Sequence, residues 1–368
     1  TSIPAMLLCY WCFGYGAWLC LALMLAAGII AHHQKLSALL AAGILLLPAT
    51  QYPATTWWSK PDLDREYVLS LDVEHYFGNI QKMRKHLETD RQILWVTYYR
   101  NLYNATHPSE INSPVSLSRN LLAWNQPGTN GLILPVNPSA SFLSILFANE
   151  LWFTLGDMTM AEHCAMLSMI FSPRNSGSRM IKRLAEINLV NGDDEAALKY
   201  LRILDKTLLH KSWAEKRIPG QQTPRVKEWL EKKRRDIPTQ DQLRSGNDAV
   251  TSLRNLVASN AGNLRAYEYL LCYHLLSKDL RSFVEDYVPG KVSSPIFAEA
   301  LLIYLARQGN IRAEELIKYQ IPVEIAKEFA DYTRIYEAKD TSLKEKYGKT
   351  YWFYYHFATT EPGKESKP

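Results

Sequence analysis

Three short groups of residues carry side chains of the kinds that catalyse reactions or bind cofactors. Glu162, His163 and Cys164 place an acid, a base and a nucleophile in succession. Successive residues of an α-helix point about 100° apart, so these three side chains cannot converge on one substrate. The group therefore predicts no catalytic site.

The other two groups are a glycine-lysine-threonine sequence and a cysteine pair. Gly348-Lys349-Thr350 matches the end of a phosphate-binding loop, which also needs a preceding strand and a glycine where this chain has Leu343. Cys9 and Cys12 form a C-x-x-C in an apolar run, without the convergent ligands and polar surroundings of a metal site. The sequence predicts no catalytic, cofactor-binding or metal-binding residue, and hence no enzyme.

A basic run between Lys211 and Asp236 leaves two interpretations open. The segment holds nine basic and four acidic residues. It could contact an acidic protein partner or the anionic headgroups of lipids. The pattern favours the other interpretation, a solvated helix face, because acidic residues are interleaved and a helix divides these charges between its faces. The candidate contacts for an anionic partner are Arg225, Lys232, Lys233 and Arg235.

The charge of the whole chain argues against a nucleic-acid partner, and its distribution divides the sequence. A net charge of +5 over 368 residues is too small an excess to require a phosphate backbone. Residues 1–58 hold one formal charge, Lys35, and all other charged residues follow Trp58. The chain after Trp58 therefore has the composition of a soluble domain.

Two uncharged stretches precede that domain. Ile3–Ile30 exceeds the ~20 apolar residues that cross a bilayer, and Leu36–Trp58 ends in two tryptophans suited to the membrane interface. We predict a transmembrane hairpin over residues 1–58, with spans at about 3–31 and 36–58; the second stretch is alternatively a buried or re-entrant helix. Lys35 in the turn places that turn in the cytoplasm of a bacterial inner membrane and the soluble domain in the periplasm.

An internal repeat organises the soluble part. Segments 141–173 and 178–209 align with an offset of 36 residues. Both resemble the tetratricopeptide repeat, in which a glycine ends the first helix and a later alanine lets the second helix approach it. The signature glycine of the first helix is replaced by Asn149 in one copy and Ala185 in the other. The predicted structural positions are Gly156, Ala161, Pro173, Gly192 and Ala197.

Helical periodicity continues to the end of the chain, and it sets the predicted fold class. The fold is all-α, with the transmembrane helical hairpin followed by a degenerate tetratricopeptide-like α-solenoid over residues 59–357 and a disordered tail over 358–368. Aromatic residues crowd 351–357. They either seal the last hairpin or form a stacking platform or membrane-interface belt.

Four stretches of sequence carry a resemblance to a known family: NGLILPVNPS (130–139), KRLAEINLVNGDDEAALKYLRILDKTLLHKSWA (182–214), AYEYLLCYHLLSKDL (266–280) and YGKTYWFYYHF (347–357). In these stretches the chain resembles a domain-of-unknown-function family of multi-pass inner-membrane proteins from Gram-negative bacteria. The resemblance implies membrane spans upstream and a tetratricopeptide-like region at the C-terminus. It implies no activity and no functional residues.

Three functions are consistent with these features. The first is a membrane-anchored helical-repeat scaffold that binds a protein or peptide in the bacterial envelope, without a cofactor. The second is an accessory soluble domain of an integral-membrane enzyme or transporter whose active part lies upstream. The third is a factor that handles envelope lipid or glycan through the basic run and the aromatic residues. We predict the first, because repeated helical hairpins bind through extended faces.

Overall fold

The computed structural model describes residues 63–89, 91, 93–107, 117–122, 128–136, 142–171, 177–240 and 248–358. Every regular element in these ranges is helical, so the predicted all-α class is confirmed for them. The chain divides into two compact units, residues 1–70 and 71–368. The predicted transmembrane hairpin, Pro173 and the tail after Ala358 lie outside the described ranges. Within those ranges, no helix combines the length and apolarity needed to cross a bilayer.

Seventeen α-helices and one short 3₁₀ turn form the described part of the chain. In order they are α1 (Leu63–Phe77), α2 (Ile80–Leu87), α3 (Leu94–Thr106), the 3₁₀ turn (Ser118–Asn120), α4 (Phe142–Leu155), α5 (Met158–Ile170), α6 (Ser178–Asn191), α7 (Asp194–Asp205), α8 (Lys211–Glu215), α9 (Pro224–Arg234), α10 (Ala249–Ser259), α11 (Leu264–Leu276), α12 (Leu280–Asp286), α13 (Pro295–Arg307), α14 (Ala313–Lys318), α15 (Val323–Glu337), α16 (Leu343–Tyr347) and α17 (Tyr351–Phe357).

Two helical hairpins, α4–α5 and α6–α7, share one turn chemistry. Gly156 follows α4 with φ of +89°, and Gly192 ends α6 with φ of +82°, a left-handed conformation that glycine adopts without a steric penalty. The next residue in each, Asp157 or Asp193, accepts a hydrogen bond from the backbone N–H three residues later, at 2.8 and 2.9 Å. The pair Gly-Asp therefore ends one helix and starts the next.

Small buried residues let the helices of each hairpin pack closely. Ala161 and Ala197 are fully buried near the start of α5 and α7. In the first hairpin the Asn149 side chain donates to the Ala161 carbonyl at 2.5 Å, and this hydrogen bond joins α4 to α5. In the second hairpin Ala185 packs against Leu201 of α7. The residues that replace the motif's glycine thus still serve the contact between paired helices.

Three aromatic residues of α17, Tyr351, Trp352 and Tyr354, are buried in the core of the second half of the chain, whereas Phe357 is exposed. Tyr351 and Trp352 are fully buried. The Tyr351 hydroxyl donates to the Leu275 carbonyl at the end of α11 at 2.8 Å, and the Trp352 indole donates to the Glu299 carbonyl of α13 at 3.0 Å. The rings of Tyr351 and Trp352 therefore pack inside the helical domain, as the prediction of a sealed last hairpin requires.

Candidate functional site

A cleft of about 230 Å³ opens where α1, α4, α6 and α9 meet. Charged and aromatic side chains form its walls, and α6 supplies almost half of them. The lining residues are His75, Tyr76, Glu150, Phe153, Arg179, Lys182, Arg183, Glu186 and Trp229.

The spacing of charged residues on α6 explains why they reach the cleft together. They occupy positions i, i+3, i+4 and i+7, which lie on one face of a helix. Leu184 and Ile187, on other faces, are fully buried. α6 therefore packs its apolar face against neighbouring helices and turns four charges toward the cleft: Arg179, Lys182, Arg183 and Glu186.

The floor of the cleft is a network of buried ion pairs. Arg179 bridges two carboxylates, with Nη1 2.5 Å from Oδ2 of Asp72 and Nη2 2.9 Å from Oε1 of Glu150. Arg183 Nη2 lies 2.5 Å from the other oxygen of Glu150. The Tyr99 hydroxyl donates to Asp72 at 2.5 Å. Because both carboxylates are buried, they depend on these partners for compensation.

Glu150 and Arg179 keep their charges at neutral pH. Burial opposes ionisation of Glu150, but the positive charges of Arg183 and Arg179 and a hydrogen bond from His75 outweigh it and hold the pKa of Glu150 well below its ordinary value. For Arg179, burial is outweighed by Glu150 and Asp72, and its pKa is raised. The ion pairs at the floor of the cleft therefore join α1, α4 and α6 to one another.

Lys182 and Arg217 contact aromatic rings instead of carboxylates. Lys182 Nζ lies 4.6 Å from the centroid of the Tyr76 ring and 5.1 Å from that of Trp213. Arg217 Cζ lies 4.1 Å from the same Trp213 centroid, and the Arg217 Nε–H is buried without an acceptor. No carboxylate within the described ranges forms an ion pair with either cation. Their positive charges are therefore stabilised by π faces but not neutralised.

Lys233 of α9 also contacts an aromatic ring. Its Nζ lies 4.6 Å from the centroid of Phe153, a ring that also carries Arg183 at 3.9 Å. Burial, together with the positive charges of Arg265 and Arg183, lowers the pKa of Lys233 to about 8. It too lacks an ion pair with any carboxylate that the structure describes.

The structure exposes three of the four predicted anion-contacting residues and turns the fourth, Lys233, inward. Arg225 and Lys232 are exposed and seven residues apart, on the outward face of α9. Lys233 points inward with the buried residue Leu230, and Arg235 is exposed just after the helix ends. Lys233 is therefore separated from the other three, because it and Lys232 are consecutive residues of a helix and diverge.

The remaining chemical candidates from the sequence do not assemble. Cys164 is buried and reduced, whereas its neighbour His163 is exposed, so the two face different environments. Gly348 lies between α16 and α17, with no strand before it. Among the described side chains, no group of three or more His, Cys, Asp and Glu residues could hold a metal ion.

Sequence analysis did not predict that the charged face of α6 lines a cleft, nor that Asp72 and Glu150 form ion pairs with it. The signal was present as charges at helical spacing, but a solvated helix face has the same pattern. The inward position of Lys233 was also recoverable, since Val226, Trp229 and Leu230 precede it at i−7, i−4 and i−3 and define the packed face of α9.

Two sets of hydrogen bonds fix α9 against its neighbours, and we call them the α9 clamp. The Arg234 side chain donates to the Val190 and Leu189 carbonyls in the last turn of α6, at 3.0 and 2.7 Å. The Asn263 amide donates to the carbonyls of Leu155 and Asp236, both at 2.7 Å. The wall that carries Trp229 is thereby tied to the ends of α6 and α4.

Gly156 is required by the α9 clamp as well as by its own turn. A Cβ atom at this position would lie 2.2 Å from the carbonyl oxygen of Asp236, which is a steric clash with backbone. Glycine therefore permits both the left-handed turn and the close approach of the segment after α9.

A second cavity of about 400 Å³ lies beside the 128–136 segment. Leu134, Trp152, Met160 and Tyr273 contribute to its lining. The described residues around it carry no formal charge, so it offers fewer groups that could orient a ligand than the cleft on α6 does.

No curated protein and no solved structure matches the chain. A model of a family of unknown function (DUF6057) matches residues 36–358, a range that includes the whole cleft. The match confirms the predicted resemblance to a domain-of-unknown-function family. The chain belongs to this family of unknown function, DUF6057.

Proposed function

We propose that the protein is a membrane-anchored, tetratricopeptide-like scaffold that binds a protein or peptide partner in the bacterial envelope, and that the α6 cleft is its binding site. The observation that carries the proposal is the combination of an open cleft with a floor of buried ion pairs. Such a floor holds the walls in one geometry, which favours recognition of a complementary surface.

The residue types of the cleft support protein recognition. Tyrosine, tryptophan and arginine are enriched among the residues that dominate interface energies. Tyr76, Trp229 and Arg183 all line the cleft. A volume of about 230 Å³ suits a few side chains of an extended segment better than a folded domain.

The sequence supports the anchor and the type of repeat. Two uncharged stretches precede the helical domain, and Lys35 in the turn between them favours a periplasmic location for that domain. The Gly-Asp turns of α4–α5 and α6–α7, spaced by 36 residues, are consistent with tetratricopeptide-like hairpins.

Site-specific photocrosslinking in cells tests the location of the binding site. A photoreactive amino acid replaces Trp229 in the cleft, or Lys199 on the exposed face of α7 as the control. We expect a specific crosslinked partner from position 229 and none from 199. The partner, identified by mass spectrometry and purified, should bind the full chain, and Trp229→Ala should weaken that binding about tenfold or more.

Two results would contradict this proposal. The first is the same set of crosslinks from both positions, since the cleft would then have no special role. The second is turnover of a substrate by the purified chain that one point substitution abolishes without unfolding the protein.

A further inference from the structure

We propose that the turn between α7 and α8 contacts a membrane surface, with Leu208 and Leu209 entering the apolar edge of the bilayer and flanking lysines meeting anionic lipid headgroups. The juxtaposition that carries the proposal is a pair of projecting leucines between two exposed lysines, Lys206 and Lys211. None of these residues lines the α6 cleft, so the inference is independent of what the cleft binds.

Leu208 and Leu209 are the most exposed of the large apolar side chains that the structure describes. Their exposed fractions are 96% and 85%. Single exposed leucines are ordinary in soluble proteins, but two adjacent ones at this degree of exposure leave almost all of their apolar surface in water. An environment that removes this surface from water would therefore bind the turn favourably.

Hydrogen bonds hold the turn in one conformation and keep the two leucines outside the core. The Thr207 hydroxyl donates to the Leu204 carbonyl at 2.7 Å and accepts from the His210 N–H at 3.2 Å. The Lys211 N–H donates to the Thr207 carbonyl at 3.2 Å. The backbone of the turn is thus closed by its own flanking residues, and the leucine side chains project into solvent.

Positive charge flanks the projecting leucines. Segment 206–211 contains two lysines and no acidic residue, and Asp205 just before it is offset by the exposed Arg202. Neither Lys206 nor Lys211 forms an ion pair with a carboxylate in the described ranges. Anionic lipids attract lysines near a membrane, and the long lysine side chain reaches the headgroups while apolar neighbours lie deeper. The order lysine, apolar pair, lysine therefore matches the layers of an anionic bilayer surface.

The same features favour a bilayer over a protein partner. Lysine is depleted in protein–protein interfaces, where tyrosine, tryptophan and arginine supply most of the binding energy. Segment 206–211 has none of those three residue types. A projecting tip also suits lipid, since interfacial apolar groups enter a bilayer by only about 5–10 Å.

Fluorescence quenching by lipid tests the proposal on the full chain reconstituted with vesicles. An environment-sensitive fluorescent amino acid replaces Leu208 or, as the control, the exposed Lys199 of α7. The vesicles contain phosphatidylcholine and phosphatidylglycerol with bromine atoms near the headgroup end of the acyl chains, which quench only fluorophores that reach that layer. We expect strong quenching at position 208 and little at position 199.

Charge substitutions separate a contact with anionic headgroups from a purely apolar one. With the fluorophore at position 208, Lys206→Gln/Lys211→Gln should reduce the quenching severalfold, and so should vesicles of phosphatidylcholine alone. Lys227→Gln/Lys232→Gln removes two exposed lysines of α9 and should leave the quenching unchanged. Quenching that responds neither to Lys206 and Lys211 nor to phosphatidylglycerol would overturn the assignment of the headgroup contact.

Stability and crosslinking distinguish the bilayer from other occupants. Because both leucines are exposed, Leu208→Ser/Leu209→Ser should leave the melting temperature unchanged, and a clear decrease would overturn the proposal by showing that they pack within the protein. A photoreactive amino acid at position 208 should crosslink to lipid in cells. A crosslink to another protein or to a second copy of the chain, or equal quenching at positions 208 and 199, would also overturn the proposal.

Discussion

Glu299 provides a sharp test of the electrostatics, because its carboxyl group is partly buried against the start of α17. Its Oε2 accepts a hydrogen bond from the Tyr351 N–H at 2.5 Å. Burial, aided by the negative charge of Glu328 and opposed by that hydrogen bond, raises the pKa of Glu299 from 4.5 to about 7. The folded protein therefore holds this proton more tightly than the unfolded chain does.

The sign and size of the effect on stability follow from linkage. The contribution of a raised carboxyl pKa is fully present below pH 4.5 and is lost as the pH rises through about 7. At about 1.4 kcal/mol per pKa unit, the loss amounts to about 3 kcal/mol. Glu299→Gln keeps an oxygen acceptor for Tyr351 and has no charge to bury. It should match the wild type near pH 4.5 and exceed it by up to about 3 kcal/mol at pH 8.

Urea unfolding of the full chain, followed by circular dichroism from pH 4.5 to pH 8.5, measures this difference. Comparing the two proteins at each pH cancels the other titrating groups. Glu324→Gln, at an exposed position of α15, is the control and should show no such trend. A gain that is the same at every pH, or no gain at pH 8, would refute the account of Glu299.

Three further predictions concern packing, the cleft floor and topology. Ala197→Leu should overpack the α6–α7 contact and lower the unfolding free energy by about 1–3 kcal/mol in thermal melts, whereas Leu at the less buried Ala196 should have a smaller effect. Glu150→Ala should lower it by about 3–5 kcal/mol, because two buried arginines lose a partner, and Glu195→Ala at an exposed pair should be near neutral. Since the pKa of Glu150 is lowered, the wild-type advantage should persist at neutral pH and disappear as the pH falls below 4.5 toward its folded pKa. Alkaline phosphatase fused after Thr359 should be active if the helical domain is periplasmic. If the phosphatase is inactive and a cytoplasmic fluorescent reporter at the same site is bright, the domain has the opposite topology.

Local features of the fold were predictable because adjacent residues encode them. Gly192 and Asp193 terminate one helix and cap the next, and their chemistry is readable without knowledge of distant contacts. The all-α class follows from the same kind of local periodicity. The membrane hairpin stays a prediction.

The cleft was harder to predict because distant residues build it. Asp72 and Arg179 are 107 residues apart, and Glu150 and Arg183 are 33 apart. Charge patterns on one helix do not reveal which helix will lie opposite. The sequence analysis left a binding patch and a solvated helix face as alternatives for the basic run, and the phase of α9 separates Lys232 from Lys233.

If the cleft binds an extended segment as proposed, the α9 clamp determines which of the two molecules loses conformational freedom on association. Arg234 and Asn263 fasten α9 at backbone carbonyls of two other helices, so the cleft is preorganised before any ligand arrives. The entropy lost on association then falls mainly on the incoming segment. Binding to such a preorganised cleft would require little change in the protein. A stiffer ligand should therefore bind more tightly than a flexible one with the same contacts.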